Sequence, residues 1–464
     1  MKPSRWASLI HSPKNMNMII VGAGEIGRHL ASVLSQQGHV ISVIEKSEAM
    51  AAELEQAIDC KVIHGNGASV RDLVEADVGE CELFLSLTSS NTANMMSASM
   101  AKSMGVGRVI CRVHPGLQRE EWLFDFKGHF GIDHIFSSER IAAIELAKYV
   151  RNPDSLVVEE LARGKIELQQ VRIGEGSSAN GTSLKKIGTP RGIRVAVVTR
   201  KGQDFVPDAD TVLQFGDVVM IFGEPRKLRD FSSKLQGRHV AGQRLKVVIF
   251  GGNEYGFCLA QMLESLDCDV RILEKDRNLC DQLADRLVNT TIICADATMV
   301  ANLEEEQVSE ADFFIAASLG DEDNVMSCLQ AHTLGVGSCL TLIHRADYAA
   351  AISGSGRHLG IKAAVSPREA TRREIQRFIT TDRYHVLEEF DAALLLEIRV
   401  GKGSIAAGHM VKEVEWPSGV VLVGQLRGVQ ADLPGPDDFL HAGDHLYAVV
   451  AKPAHKAFAK LLAD

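Results

Sequence analysis

The sequence predicts an α/β protein written twice, each copy a parallel-sheet domain followed by a small α+β domain. Three observations predict it: an internal repeat, strand–helix alternation opening on a glycine turn in each copy, and a shift to short glycine-punctuated strands afterwards. Residues 17–45 read NMIIVGAGEIGRHLASVLSQQGHVISVIE, and residues 246–274 read KVVIFGGNEYGFCLAQMLESLDCDVRILE. Gly27 and Gly256 stand 229 apart, as do Glu45 and Glu274. ELFLSLTSSNTANMM (82–96) answers DFFIAASLGDEDNVM (312–326), and GVGRVICRVH (105–114) answers GVGSCLTLIH (335–344), both at 230. Ordered matches at a near-constant offset mark a tandem duplication.

Alternation of β-branched strands with helically spaced apolar residues fills 17–150 and 245–380, the pattern of a right-handed parallel sheet. Each stretch is followed by a strand-rich module. The first, 151–235, holds IELQQVRI (166–173), IRVAVVT (193–199), DVVMIF (217–222) and a helix near 226–235. The second, 381–464, holds LLLEIRV (394–400), VVLVGQL (420–426), DHLYAVV (444–450) and a helix near 454–462. A Gly-Asp turn precedes the last strand of each, Gly216-Asp217 and Gly443-Asp444. Polar SSKLQGRHVAGQR (232–244) reads as the link between halves, with 236–244 outside either domain. The expected order is therefore N1–C1–N2–C2.

Composition narrows the function. With 464 residues the chain exceeds one core. A net charge of −10 argues against nucleic acid and against direct lipid binding. No apolar run approaches the roughly 20 residues that span a bilayer, so a membrane role runs through another protein. Residues 1–16 carry Lys2, Arg5 and Lys14, but Trp6–Ile10 is too short for a signal-peptide core, and the stretch reads as a disordered tail. The nine cysteines form no C-x-x-C pair or metal spacing, and most fall in apolar runs, as buried thiols in a reducing cytosol do. The histidines show no metal spacing either.

The candidate site is the first glycine turn. Gly22, Gly24 and Gly27 follow strand MIIV and open helix EIGRHLASVL, the context a dinucleotide fingerprint requires. Gly22 permits the tight turn, Gly24 lets the backbone approach a pyrophosphate, and Gly27 lets helix pack on strand. Glu25 and Ile26 lie at the helix N-terminus, where free N–H groups and the helix dipole favour phosphate. Glu45, 18 residues after Gly27, ends the second strand, where a carboxylate accepts ribose hydroxyls and repels a 2′-phosphate; Lys46 follows it. Asn66 in HGNGAS, Thr88, Ser89 and Arg112 stand at the ends of later strands, with Arg112 offering a fork to phosphate. In the second copy Asn253 replaces the middle glycine between Gly251 and Gly256, narrowing the phosphate approach, while Glu274 and Ser318 keep contacts available. The two sites are expected to be unequal.

With these residues laid out, the chain resembles the Trk potassium-uptake regulators, the TrkA family of tandem RCK (regulator of K⁺ conductance) domains. The resemblance rests on IIVGAGEIG (19–27), Glu45, VIHGNGAS (62–69), LTSSNTANMM (87–96), CRVHPG (111–116) and the N–C–N–C order, and covers about 17–464. It implies Rossmann-like N domains binding NAD(H), with ATP or ADP as alternatives. It also implies a homo-oligomer, dimer or tetramer, docked at the cytoplasmic face on an integral membrane potassium transporter subunit of the TrkH type. The family's T-x-x-D-E pattern after the fourth strand survives as Asp321 and Glu322 in the second copy, for a cation or an interface pair, and is Asn91 and Thr92 in the first. The implied role is regulatory and not enzymatic. An NAD-dependent oxidoreductase and a regulator of a potassium efflux antiporter are the alternatives; small duplicated C modules without a His/Asp or Lys cluster leave a dehydrogenase no catalytic domain.

Overall fold

The computed structural model describes residues 15–462 apart from 121–122, 153–154, 156, 163–164, 238–243, 267, 346–347, 350, 353–358, 380–383, 391 and 429. Most of the expected tail, and 238–243 of the expected link, lie outside the described residues. The chain divides into two compact units, one of residues 1–147 and 244–381, the other of 148–243 and 382–464.

The first unit holds two six-stranded sheets of one design. In the first copy these are β1 (Asn17–Val21), β2 (Val40–Glu45), β3 (Lys61–His64), β4 (Leu83–Ser86), β5 (Arg108–Arg112) and β6 (His134–Phe136), parallel and ordered 3-2-1-4-5-6. This is the doubly wound order, whose reversal between β1 and β4 opens a crevice at the strands' carboxyl ends. Alternation along β1 sends Met18 and Ile20 into one core layer and Ile19 and Val21 into the other. A strand buried on both faces therefore reads as an unbroken apolar run.

The two copies of this unit also pack on each other. The helix Pro367–Ile379, after the last strand of the second sheet, lies on the helix Glu25–Gln36 of the first copy. Its Ile375 and Ile379 enter the first copy's core beside Leu30, Leu34 and Phe136. Ion pairs flank that seam: Arg368–Glu25 at 2.9 Å, His134–Glu374 at 3.1 Å and Arg373–Glu145 at 3.3 Å.

The second unit holds two five-stranded antiparallel sheets. The first contains β7 (Val157–Leu161), β8 (Ile166–Arg172), β9 (Ile193–Arg200), β10 (Gln203–Phe205) and β11 (Val218–Gly223), in the order 10-9-11-8-7. The second copy's parallel sheet is β12 (Leu245–Phe250), β13 (Cys268–Glu274), β14 (Thr290–Cys294), β15 (Phe313–Ala316), β16 (Ser338–Leu342) and β17 (Ile361–Val365), ordered 14-13-12-15-16-17. Its small sheet is β18 (Tyr384–Glu389), β19 (Ala393–Arg399), β20 (Val420–Arg427), β21 (Gln430–Asp432) and β22 (His445–Ala451), ordered 18-19-22-20-21. Strands β7, β10, β18 and β21 were not among the sequence expectations.

Each small sheet is covered on both faces. Along β11, Val219 and Ile221 face a core closed by the helix Pro225–Gln236, while Met220 and Phe222 face the other module. Along β22, Leu446, Ala448 and Val450 face their own helix, while Tyr447 and Val449 join Met220 and Phe222. The two modules thus share one apolar layer. Both Gly-Asp turns anchor it at a corner: Asp217 takes two bonds from Arg200 at 2.9 and 2.7 Å, and Asp444 two from Arg427 at 2.9 Å.

The helix expected near 226–235 runs Pro225–Gln236, so the polar stretch from 232 begins inside it and, of the expected link 236–244, Gln236 belongs to the helix. Leu228, Phe231 and Leu235 recur at helical spacing and are buried, and Gly237 caps the helix at φ +74.

Candidate functional site

The glycine turn joins β1 to the helix Glu25–Gln36. Gly22 sits at φ +99, which an L side chain rarely adopts. A Cβ on Gly27 would lie 1.9 Å from the Gly22 carbonyl oxygen, so only glycine fits there. Gly24 is different: its φ is −62, and a Cβ there would meet nothing within 4 Å. No protein contact requires a glycine at this position. Its exposed backbone borders open space at a helix N-terminus that has no side-chain cap. That leaves the first-turn N–H groups, those of Glu25, Ile26 and Gly27, facing an anion position.

Glu45 ends β2 beside this turn. Its Oε2 accepts from the Ala23 N–H at 2.6 Å and its Oε1 from the Ser47 N–H at 2.8 Å. Both bonds fix the carboxylate, and each oxygen keeps a lone pair for a further donor. It is therefore a built part of the turn, not a loose solvent-facing acid. Lys46 is exposed, and its carbonyl contacts His64 Nε2 at 3.1 Å.

The other residues fall at the same sheet edge with varied engagement. Asn66 forms an Asx turn, its Oδ1 accepting from Ala68 N–H at 3.0 Å. Thr88 Oγ1 donates to Asn94 Oδ1 at 2.6 Å, and Ser89 is exposed. Arg112 gives a guanidinium N–H to Glu139 at 2.9 Å, and Ser137 Oγ donates to the same carboxylate at 2.9 Å. That fork is engaged within the protein. Glu25 is paired with Arg368 at 2.9 Å, so its side chain serves the seam between copies, while Ile26 is buried in the core.

Sequence reasoning passed over Asn94. It is buried, accepts from Thr88 N–H at 2.9 Å, and donates to the carbonyls of Thr88 at 2.8 Å and Arg112 at 2.9 Å. Asn324 does the same for Ser318 and Leu342. Asparagine at one place in both copies is the signal that could have found it.

The second turn keeps the backbone and changes the chemistry. Gly251 is at φ +105, and a Cβ on Gly256 would lie 1.9 Å from the Gly251 oxygen. Asn253 has φ −62, matching Gly24. Its Oδ1 accepts from Tyr255 N–H at 2.9 Å and Gly256 N–H at 3.3 Å, and its Nδ2 donates to Ala317 O at 2.8 Å. The asparagine caps the helix and occupies two of the three N–H groups that the first copy leaves open. Glu274 accepts from Gly252 N–H at 2.7 Å and Asp276 N–H at 2.9 Å, as Glu45 does in the first copy.

Asp321 is buried and accepts from the N–H groups of His344 at 2.8 Å and Arg345 at 3.0 Å, with His344 Nδ1 at 3.0 Å. Burial alone would raise its pKa; those N–H groups and the His344 ring outweigh it and hold the carboxyl below its usual value. Glu322 is exposed. Among the described residues no cluster of three His, Cys, Asp or Glu is placed to hold a metal.

The chain matches the TrkA-N domain over residues 18–138 and 247–367, and the TrkA-C domain over 168–236 and 395–463. It belongs to the TrkA-N/TrkA-C family. A Trk system potassium uptake protein TrkA from Halomonas elongata is 28% identical over 94% of this chain and 96% of its own. A TrkA homologue from Archaeoglobus fulgidus is 27% identical over 93% and 96%. In fold the chain is similar to the GsuK RCK domain, with a TM-score of 0.59 and 16% identity over 99% of each chain. It is likewise similar to the GsuK channel bound to NAD, at 0.60 and 15% over 99% of this chain and 82% of that one. These relatives are named as Trk system potassium uptake proteins, and the TrkA family is regulatory and not enzymatic. Among the described residues no helix of this TrkA-family chain is long and apolar enough to cross a membrane.

Proposed function

We propose that the chain is a cytosolic gating subunit of a bacterial potassium-uptake transporter, controlled by NAD(H), ATP or ADP at the first glycine turn. The observation that carries this is the open space over Gly24, at an uncapped helix N-terminus beside the fixed carboxylate of Glu45. In this reading the pyrophosphate lies over Gly24 against the N–H groups of the helix, and the ribose hydroxyls donate to Glu45. Thr88, Ser89, Asn66 and Lys46 border the ligand. The second turn, filled by Asn253, binds more weakly or not at all. Domains run N1 (17–150), C1 (151–235), N2 (245–380) and C2 (381–464). The partner is an integral membrane transporter subunit, on which the chain assembles as a dimer or tetramer. Gating follows if nucleotide binds the open and closed assemblies with different affinity.

Titration calorimetry of the full chain with NADH, NAD⁺, ATP and ADP tests the site: one nucleotide per chain is expected, and no heat with any of the four sinks the reading. Fractionation tests the partner. Cells lacking the transporter subunit should hold this protein away from the membrane pellet, and membrane binding that persists there contradicts the assignment.

A further inference from the structure

Two cysteines converge where the second copy carries its strand-end carboxylate. Glu274 and Cys294 are register partners at the ends of β13 and β14. Cys280 lies on the helix Arg277–Arg286, which packs on β14. The Cys280 thiol donates to the Glu274 carbonyl at 3.3 Å, and the Cys294 thiol points to the next carbonyl, Lys275, at 3.9 Å. Cys294 is exposed, and Cys280 is buried directly behind it. Burial pushes the Cys280 thiol up to about 12, and the adjoining Cys294 sulfur adds to the rise. The first copy has nothing of the kind. Ala51 and His64 occupy the matching places, and the His64 ring makes the bond to the Lys46 carbonyl that Cys294 makes to Lys275.

We propose that Cys280 and Cys294 are a reversible dithiol–disulfide site, oxidised by low-molecular-weight disulfides, that acts on the second glycine turn and not on the first. Cys294, accessible to solvent, attacks as its thiolate. The S–S bond of the small disulfide breaks, one thiol leaves with a proton, and a mixed disulfide remains on Cys294. Capping removes the negative charge that opposes ionisation of Cys280. Cys280 then loses its proton to solvent and attacks the Cys294 sulfur, expelling the second small thiol. The protein gives up two electrons, and one disulfide becomes two thiols. Bond formation withdraws both S–H donors from the Glu274 and Lys275 carbonyls, at the foot of the carboxylate that holds the Gly252 N–H. The disulfide step itself stands independently of any nucleotide assignment.

The test uses the full reduced chain under native conditions with glutathione disulfide, followed by alkylation and peptide mapping by mass spectrometry. The expected product is an internal Cys280–Cys294 cross-link, reversed by dithiothreitol. Cys280→Ala should stop at a glutathione adduct on Cys294, and Cys294→Ala should leave Cys280 unmodified. In the unaltered chain, a stable glutathione adduct on Cys294, a cross-link between chains, or loss of another thiol such as Cys60 in its place overturns the proposal. Because the unaltered chain alone decides between these outcomes, a variant that fails to fold leaves the test intact.

Discussion

Three glycines of one turn have three different reasons to be glycine, and the structure separates them. Gly22 answers to its positive φ and Gly27 to the carbonyl beneath it. Gly24 answers to nothing in the protein. Gly24→Ala should therefore fold normally and lose NADH affinity by tenfold or more, about 1.4 kcal/mol. Gly27→Ala should cost roughly 3 kcal/mol of stability through overpacking. Thermal melts beside calorimetry separate the two, and equal behaviour would refute the distinction. Glu45→Ala should weaken nucleotide binding by about 1.5–3 kcal/mol. Read as a strand-end acid, it would leave the ligand-free fold unchanged. Because it holds two backbone N–H groups, removing it should also lower the unliganded melting temperature, by about 1–2 kcal/mol of stability. The glycines and both acids were legible because each motif position has one steric or charge requirement. The engagement of Arg112 with Glu139 was not, since a guanidinium's partner depends on residues 27 apart meeting in space. The cap formed by Asn253 was open to reading: asparagine before a helix is a preferred N-cap, whereas its backbone conformation needs no positive φ.

At the scale of elements, the parallel sheets and the glycine turns followed from alternation and repeat, whereas the strand order 3-2-1-4-5-6 came from the structure. The strands β7, β10, β18 and β21 did not follow, because each is short, lies at the edge of its sheet and lacks a clear two-residue apolar period. The helix near 226–235 was legible from Leu228, Phe231 and Leu235, and its polar last turn is what blurred its end into the link. The loops after β4 and β15 owe their shape to one buried amide each. Asn94→Ala strips partners from Thr88 N–H and from the carbonyls of Thr88 and Arg112. Buried groups left unpaired cost about 1–3 kcal/mol each, and water entering the gap recovers part of it. Denaturant titration should show a loss of about 2–4 kcal/mol, and a loss under about 0.5 kcal/mol would show that the loop holds itself.

Across the first unit, the seam between copies is charged and therefore pH-dependent. Glu369 on the helix Pro367–Ile379 faces His29 at 3.5 Å and Arg372 on its own helix, with Arg373 nearby. Burial would raise its pKa, but the His29 and Arg372 bonds prevail and hold it at about 2. A depressed folded pKa stabilises above the unfolded value, and that stability is lost as pH falls through the folded one. The chain should lose stability between about pH 5 and pH 2, and Glu369→Gln should show a shallower loss over the same interval in thermal melts. Parallel curves for the two proteins would remove Glu369 from that account.

The second unit has a different bearing. Met220 and Phe222 of one module and Tyr447 and Val449 of the other fill a single apolar layer, the kind of face that separate chains bury only by finding each other. Two free modules would part on dilution, since their pairing is bimolecular. Joined on one polypeptide, with the second parallel sheet between them in sequence, each meets the other intramolecularly, at an effective concentration set by the chain and not by the amount of protein. The pairing is thus indifferent to how much of the protein a cell makes. Because both halves are carried on one polypeptide, a change in one, such as an asparagine in place of a glycine, stands beside the unchanged copy in every molecule.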